Sequence, residues 1–267
     1  YTFQILSYVI DLHWGRVKVQ RNPFYLALYL SFFPQLIAGP IVRYQTVEEE
    51  IRHRTENLDE MVVGAKRFIV GLAKKVLLAN NIAAVAELIY AGDKAIYGTA
   101  MYWLAAVAYT LQIYFDFSGY SDMAIGLGKM FGFHFLENFD YPYISASVSE
   151  FWRRWHMSLG QWFRDYVYFP LGGSRVSRGK LLRNTFVVWL LTGIWHGANW
   201  TFILWGLMNC FVIVVSEELN PLYEKFHNRF GLKEKKWYGG FEMLRMFMLM
   251  NFIRIVDLFP NVGDYFL

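Results

Sequence analysis

Cysteine is almost absent from this sequence, and that scarcity excludes two kinds of protein. The chain of 267 residues contains one cysteine, Cys210, which lies inside an apolar run and has no partner for an intrachain disulfide. No cysteine and histidine pattern has the spacing of a zinc site, so we expect no metal. The sequence is therefore neither a disulfide-stapled secreted domain nor a zinc-binding domain.

Charge is also scarce, at 18% of the chain, and the charged residues cluster between long apolar segments. The net charge of +4 comes from these connecting stretches. No basic stripe recurs along any one segment, so we expect no nucleic-acid partner. What is abundant is apolar: 55% of the residues are hydrophobic, with 24 Phe, 18 Tyr and 10 Trp. Aromatic enrichment of this kind is typical of membrane interfaces, and we expect the lipid bilayer to be a partner.

Long apolar segments dominate the chain. A helical span needs about 20 mostly apolar residues. Seven segments qualify in whole or in part: 1–12, 23–42, 61–91, 99–118, 120–136, 184–216 and 239–260. The predicted fold class is all-α, a polytopic membrane helix bundle. Because the first segment starts at Tyr1 with no initiator Met or charged leader, we expect residues 1–267 to form a single membrane domain that is a fragment lacking its N-terminal helices.

Two of these segments carry signals for a break. Segment 23–42 is basic on both sides and contains Pro34 and Gly39-Pro40, which favours a re-entrant hairpin. Segment 184–216 is too long for one span and also lies between basic stretches, so we expect the chain to turn back at Gly197-Ala198-Asn199. The short, nearly uncharged stretch 92–98 is predicted to be a turn on the outer side of the membrane.

Segment 147–166 predicts one interfacial amphipathic helix. Ser147 and Glu150 have the spacing of a capping box. A turn of about 100° per residue gathers apolar side chains into one arc and leaves polar ones opposite. The arc contains Trp152, Trp155, Leu159, Trp162, Phe163 and Tyr166, and the polar face contains Arg153, Arg154, Ser158, Gln161, Arg164 and Asp165.

Histidines 156 and 196 stand out because they lie in this apolar, aromatic sequence. An ionisable group is costly in such surroundings, and imidazole exchanges a proton near neutral pH. The alternative for each is a structural hydrogen bond. His196 is flanked by small residues, and Asn199 offers a group that can orient its ring. His13, His53, His134 and His227 are interpreted as loop or interface residues without a role.

Other polar groups leave two readings open. Asp116, Ser118, Ser121 and Asp122 form a polar island that either caps a helix or lines a cavity. Arg153, Arg154 and Arg164 suit either a phosphate-bearing donor or lipid headgroups. Gly126-Leu127-Gly128 fails the dinucleotide-binding fingerprint, and we interpret it as a site of close helix packing.

Several long motifs, in order, resemble the membrane-bound O-acyltransferase (MBOAT) family. They are Pro34–Arg43 (PQLIAGPIVR), Phe115–Asp122 (FDFSGYSD), Ser149–Tyr166 (SEFWRRWHMSLGQWFRDY), Tyr168–Arg175 (YFPLGGSR) and Trp195–Trp200 (WHGANW). Within the family the sequence is most similar to the bacterial branch of alginate O-acetylation membrane proteins. The branch that transfers D-alanine to teichoic acids usually lacks the PLGG stretch at 170–173.

This resemblance implies a helix bundle with re-entrant and interfacial helices around a tunnel or funnel, in the bacterial inner membrane. It assigns catalysis to His196 and His156, one of them as general base on the accepting hydroxyl. Asn199 or His156 would stabilise the oxyanion, and Trp195, Trp155 and Arg153 are expected along the substrate tunnel. No residue is assigned to a cofactor.

The resemblance also implies an acyl donor, acetyl-CoA or another thioester, as substrate and an extracytoplasmic acyltransferase as partner in a polysaccharide pathway. The predicted function is acetyl transfer across the membrane for O-acetylation of an extracellular polysaccharide. Two alternatives remain open, D-alanyl transfer to teichoic acid and a proton-coupled transporter. Internal repeats of the transporter kind are not seen in the sequence, which speaks against the second.

Overall fold

The structure is a computed structural model that describes residues 2–35, 39–92, 97–197 and 199–258, and its regular elements are helices. The all-α prediction is confirmed. The chain packs as two compact units, the first formed by Tyr1–Asp140 with His156–Trp162 and the second by Tyr141–Trp155 with Phe163–Leu267. Each unit is described by itself.

The first unit holds the helices up to residue 130 and most of one short later helix. These are α1 (Thr2–His13), α2 (Pro23–Ser31), α3 (Tyr44–His53), α4 (Leu58–Ala73), a π-helical stretch (Lys74–Ala79), α5 (Asn80–Tyr90), α6 (Thr99–Met130) and α8 (Met157–Phe163). Asn57 caps α4 by accepting a hydrogen bond from the Glu60 backbone N–H at 2.8 Å. Asn22 does the same for α2 through the Phe24 N–H at 2.9 Å.

Glycines bring α4 and α6 into close contact. A Cβ on Gly64 would lie 2.5 Å from the Gly126 carbonyl oxygen, and one on Gly71 would lie 2.5 Å from that of Gly119. Both pairs are seven residues apart along their helices, so they recur on one face after two turns. Small residues allow this backbone approach in membrane helices. The packing role predicted for Gly126 is confirmed.

The predicted boundary between segments 99–118 and 120–136 is wrong, because α6 runs without a break from Thr99 to Met130. Gly119 faces Gly71 on the neighbouring helix, where tight packing holds it in helical form.

The polar island inside α6 does not cap a helix. Asp122 accepts from Arg67 at 2.9 Å and from Lys74 at 2.5 Å, so the island pairs with cations of the adjacent helix.

The break predicted inside segment 23–42 is present. Helix α2 ends at Ser31 and a short 3₁₀ turn follows at Phe33–Gln35. The Tyr29 hydroxyl donates to the Val42 carbonyl at 3.1 Å, which ties the helix to the chain beyond the break. Residues 36–38 lie outside the described residues, as do 93–96 of the predicted turn, and a re-entrant placement stays a prediction.

The second unit is built on the predicted break at 197–199. Its helices are α7 (Val148–Arg154), α9 (Arg178–His196), α10 (Trp200–Phe230) and α11 (Lys236–Arg254), with a π turn at Arg164–Tyr168 and a 3₁₀ turn at Ile255–Leu258. A Cβ on Gly206 would lie 2.5 Å from the Trp189 carbonyl oxygen, so α9 and α10 pack as a tight hairpin. Ala198 itself and residues 259–260 of the last predicted segment lie outside the described residues.

The single helix predicted over 147–166 is wrong. The capping box is present, since Ser147 Oγ accepts from the Glu150 N–H at 3.2 Å. Helix α7 nevertheless ends at Arg154, and α8 begins at Met157. Ser158, predicted on the polar face, is buried. The reason is the backbone of His156, which has a φ of +45° and cannot continue a right-handed helix.

Two helical stretches of the described residues are long and apolar enough to cross a membrane, Leu58–Tyr90 and Trp200–Phe230. Only 11% and 22% of their most apolar windows are buried. A core helix of a soluble protein would be mostly buried, which these two stretches are not. The two stretches correspond to predicted segment 61–91 and to the second half of segment 184–216.

Candidate active site

His196 is the last residue of α9 and is half-buried among aromatic rings. Its ring centroid lies 4.7 Å from that of Trp205, edge to face, and 4.9 Å from that of Trp195. Phe202 stacks on it more distantly, at 6.3 Å. The helix break therefore does what the sequence predicts: it places an imidazole at the end of one helix and against the first turns of the next.

Arg254 is a candidate residue that the sequence reasoning missed. It is buried, with 7% of its surface exposed, and its guanidinium carbon lies 4.9 Å from the Trp155 ring centroid and 5.8 Å from that of Trp205. Arg254 and His196 thus both lie against the Trp205 ring. The sequence could have indicated Arg254, because a charged residue in the apolar segment 239–260 is costly in a membrane and usually has a function.

Trp152 of α7 and Trp155, the residue after its end, extend this cluster. Trp155 is buried and Phe151 stacks on it at 5.7 Å. Trp152 packs against Trp189 at 4.7 Å and against Trp205 at 5.9 Å. Its indole N–H is buried and finds no acceptor among the described residues. Such a donor is the kind of group that a bound carbonyl oxygen satisfies.

The other residues predicted for the site, Trp195, Arg153 and Asn199, have fewer contacts with this cluster. Trp195 contacts His196 but is 42% exposed, and the Arg153 side chain is exposed. Asn199 Oδ1 accepts from the Thr201 N–H at 3.3 Å and so serves as the N-cap of α10. Whether its amide also orients His196 stays a prediction.

His156 lies in the first unit and is held by Asn138. Its Nδ1 is 3.0 Å from Asn138 Oδ1, which also accepts from the Ser158 hydroxyl at 2.9 Å and from the Ser158 backbone N–H at 3.3 Å. Because the Ser158 backbone N–H can only donate, the Asn138 side-chain atom that faces it must be the amide oxygen and not the nitrogen. Because Asn138 Oδ1 is an acceptor, it favours the tautomer that carries its proton on Nδ1.

Asn138 also fixes the backbone around the histidine. Its carbonyl accepts from the Met157 N–H at 2.9 Å, and its amide donates to Ser121 Oγ at 3.0 Å. Asn138 is fully buried, and the Phe117 ring packs edge to face on His156 at 4.7 Å. No motif spacing in the sequence links position 138 to 156, so sequence reasoning missed it. Ser121 of the polar island and Phe117, both on α6, thus contact Asn138 and this histidine.

The remaining histidines are predicted to be loop or interface residues. His227 is not in a loop, because it lies inside α10; it is buried there, and its Nε2 is 2.7 Å from the hydroxyl of Tyr238 on α11. His13 and His53 end α1 and α3. His134 follows the end of α6 and bridges Glu50 at 2.7 Å and Glu60 at 3.0 Å. Within the described residues, no group of three or more His, Cys, Asp or Glu side chains could hold a metal ion.

Comparison with known proteins agrees with the motifs. The chain is 50% identical over 206 residues to the probable alginate O-acetylase AlgI of Azotobacter vinelandii, which covers 77% of this chain and 41% of that protein. It is 42% identical over 205 residues to the peptidoglycan O-acetyltransferase of Helicobacter pylori, covering 75% and 38%. The teichoic acid D-alanyltransferase of Bacillus subtilis is 28% identical over 250 residues, covering 88% and 61%.

The chain thus spans about two fifths of the length of the relatives that it matches at 50% identity. The model of the membrane-bound O-acyltransferase family matches residues 17–256, nearly all of the sequence and all of the residues described above at both histidines. The chain therefore belongs to the membrane-bound O-acyltransferase (MBOAT) family.

Proposed function

We propose that this chain carries the catalytic membrane core of an O-acetyltransferase. It moves an acetyl group from a cytoplasmic thioester, acetyl-CoA or another acyl thioester, across the membrane for O-acetylation of an extracellular polysaccharide. The observation that carries the proposal is His196, an imidazole at a helix break that packs on Trp205, a ring that buried Arg254 also approaches. The higher identity to the two O-acetylating relatives supports acetyl over D-alanyl as the group transferred.

The chemistry follows from an imidazole beside an acyl group. The His196 ring takes the proton from the accepting hydroxyl while that oxygen attacks the thioester carbonyl carbon. The tetrahedral intermediate then collapses, the C–S bond breaks, and the proton passes to the leaving thiolate. General-base assistance is worth about 10²–10⁴ in rate. The developing oxyanion needs donors, and the buried Trp152 N–H, Asn199 and His156 are the candidates.

His156 takes a supporting or second catalytic role in this proposal. The hydrogen bond to Asn138 fixes its tautomer, as the third group of a catalytic triad does for its histidine. We infer that the helices enclose a tunnel or funnel as one MBOAT-like domain in a bacterial inner membrane, with interfacial and re-entrant parts. Trp155, Trp195 and Arg153 would line the donor path, and an extracytoplasmic acyltransferase of the polysaccharide pathway would receive the acetyl group.

The test replaces the gene of the full-length protein by variants in its own host. His196→Ala should reduce acetylation of the exported polysaccharide at least 10²-fold, with normal protein amounts in the membrane. The matched control is His53→Ala, since His53 is exposed at the end of α3 and should leave acetylation unchanged. Near-normal acetylation in His196→Ala would refute the proposal.

A second measurement separates the alternatives. Cells are supplied with a labelled acetyl donor or with labelled D-alanine, and the label is traced to the exported polymers. Acetyl label in a polysaccharide supports the proposal, and D-alanyl label in teichoic acid supports the related alternative. A proton-coupled transporter would move its substrate without attaching either label.

A further inference from the structure

A cavity of about 500 Å³ lies in the second unit, and His196 is not part of its lining. Its walls are the later turns of α10, the central turns of α11, Lys233 in the turn between them, and the start of α7 with the two residues before it. At one end the lining is apolar, with Phe211, Val212, Val215, Met246 and Leu249. At the other end it carries Glu224, His227, Lys233, Glu242 and Arg245. The cavity is therefore amphipathic along its length.

Both α10 and α11 change between polar and apolar sequence at the level of this cavity. In α10 the apolar run ends at Val215 and polar sequence begins at Ser216. In α11 the last charged residue before the apolar run is Arg245, and Met246 follows. Because α10 is long and apolar enough to cross a membrane, this shared change marks the membrane–water interface. Lipid headgroups lie at that level, with their chains on the apolar side.

The polar end offers charges of both signs. Arg245 donates to the Ala146 carbonyl at 3.1 Å, and its guanidinium lies 5.8 Å from the Tyr223 ring centroid. Glu242, on the same helix as Arg245, is 18% exposed and lies 3.9 Å from His227 Nε2. In the part of the chain that the structure describes, no ion pair within 4.0 Å joins Arg245 or Lys233 to a carboxylate. These charges are therefore available to a ligand.

We propose that this cavity binds a phospholipid whose headgroup carries a phosphate and a primary ammonium. The phosphate lies on Arg245 and Lys233, and the ammonium lies on Glu242 and Glu224. One acyl chain follows the apolar wall at Phe211, Val215 and Leu249. An anionic headgroup without an amine would meet the two carboxylates unfavourably, and a quaternary ammonium has no N–H to donate to them. Both signs of charge in the cavity thus select for the amine-bearing lipid.

The experiment uses the full-length protein purified in detergent and native mass spectrometry. Equal amounts of phosphatidylethanolamine, phosphatidylglycerol and phosphatidylcholine with identical chains are added. The wild type should retain phosphatidylethanolamine in preference to the other two. Arg245→Met and Glu242→Gln should each lower that retention at least about fivefold, because each removes one charge contact at the membrane surface.

Matched controls come from exposed charges at the same end of the two helices. Arg229→Met and Glu234→Gln lie outside the cavity lining and should retain the lipid as the wild type does. Thermal unfolding in detergent shows that each variant is folded. Equal retention by wild type and cavity variants, preference for phosphatidylglycerol, or no retained lipid would overturn the proposal. His196→Ala should retain the lipid as the wild type does. The lipid measurement therefore tests this proposal independently of the acetyl-transfer proposal.

Discussion

At the scale of single residues, His156 shows most clearly how this chain places a functional group. Tyr141 and His156 are the non-glycine residues with positive φ in the described part of the chain. A residue held in the left-handed region costs about 1–3 kcal/mol, and such strain concentrates at functional sites. Here four hydrogen bonds from or to Asn138 surround the turn and offset that cost.

We predict that His156→Asn lowers polysaccharide acetylation by about 10²–10⁴-fold while the protein still folds. Asparagine tolerates the left-handed backbone and can still hydrogen-bond to Asn138, but it has no imidazole. Acetylation is measured in the host, and unfolding temperature in detergent. The matched control is Tyr141→Asn, which shares the positive φ but is exposed and should leave acetylation unchanged. Wild-type acetylation in His156→Asn would reduce His156 to a structural residue.

His134 predicts a dependence of stability on pH. Hydrogen bonds to Glu60 and then to Glu50 raise the pKa of His134 above its ordinary value of 6.5. The stability that this charge contributes is therefore complete below pH 6.5 and is lost as pH rises through the raised folded-state pKa. The ring is 53% exposed, so screening keeps the effect below about 1 kcal/mol.

The measurement is the unfolding temperature of the full-length protein in detergent at about pH 5.5 and about pH 8.5. His134→Gln should lower it at the acidic pH and change it little at the basic pH. His53→Gln, at an exposed helix end, serves as the control and should show no such difference. A loss that is larger at the basic pH would contradict the assignment.

At the scale of elements, the glycine pairs of α4 and α6 decide how these two helices pack. A methyl group on Gly126 would meet the Gly64 carbonyl oxygen at 2.6 Å, a backbone atom that cannot move without shifting a helix. We therefore predict that Gly126→Ala lowers the unfolding temperature, although alanine favours a helix by about 1 kcal/mol. The control is Gly240→Ala in α11, where nothing lies within 4 Å and stability should hold or rise. A stabilised Gly126→Ala would refute this packing.

The element scale also explains which boundaries were predictable. The break at Gly197 and the capping box at Ser147 depend on local residues, and both were predicted. The continuity of α6 through Gly119 and the end of α7 at Arg154 depend on contacts with distant residues, Gly71 and Asn138. Local sequence carries no signal of such contacts, and both boundaries were predicted wrongly.

At the scale of the whole molecule, the arrangement of α9 and α10 agrees with the charge pattern. An ion pair joins Arg178, at the start of α9, to Glu218 in the polar half of α10. The basic stretch before the hairpin therefore lies beside the polar end of its second helix. The positive-inside rule expects this arrangement of two basic flanks that share one side of the membrane. The same rule predicts that this side is the cytoplasm.

The sequence by itself determined the helical class and the membrane-bound family, and it singled out the two histidines as candidate site residues. These depend on composition, on apolar run length and on short motifs, which are properties of neighbouring residues. Only the tertiary structure brought Arg254 to Trp205 and Asn138 to His156, and only it placed charges of both signs around the α10–α11 cavity. Because these partners are far apart in the sequence, their contact depends on how the helices pack and not on any local sequence pattern.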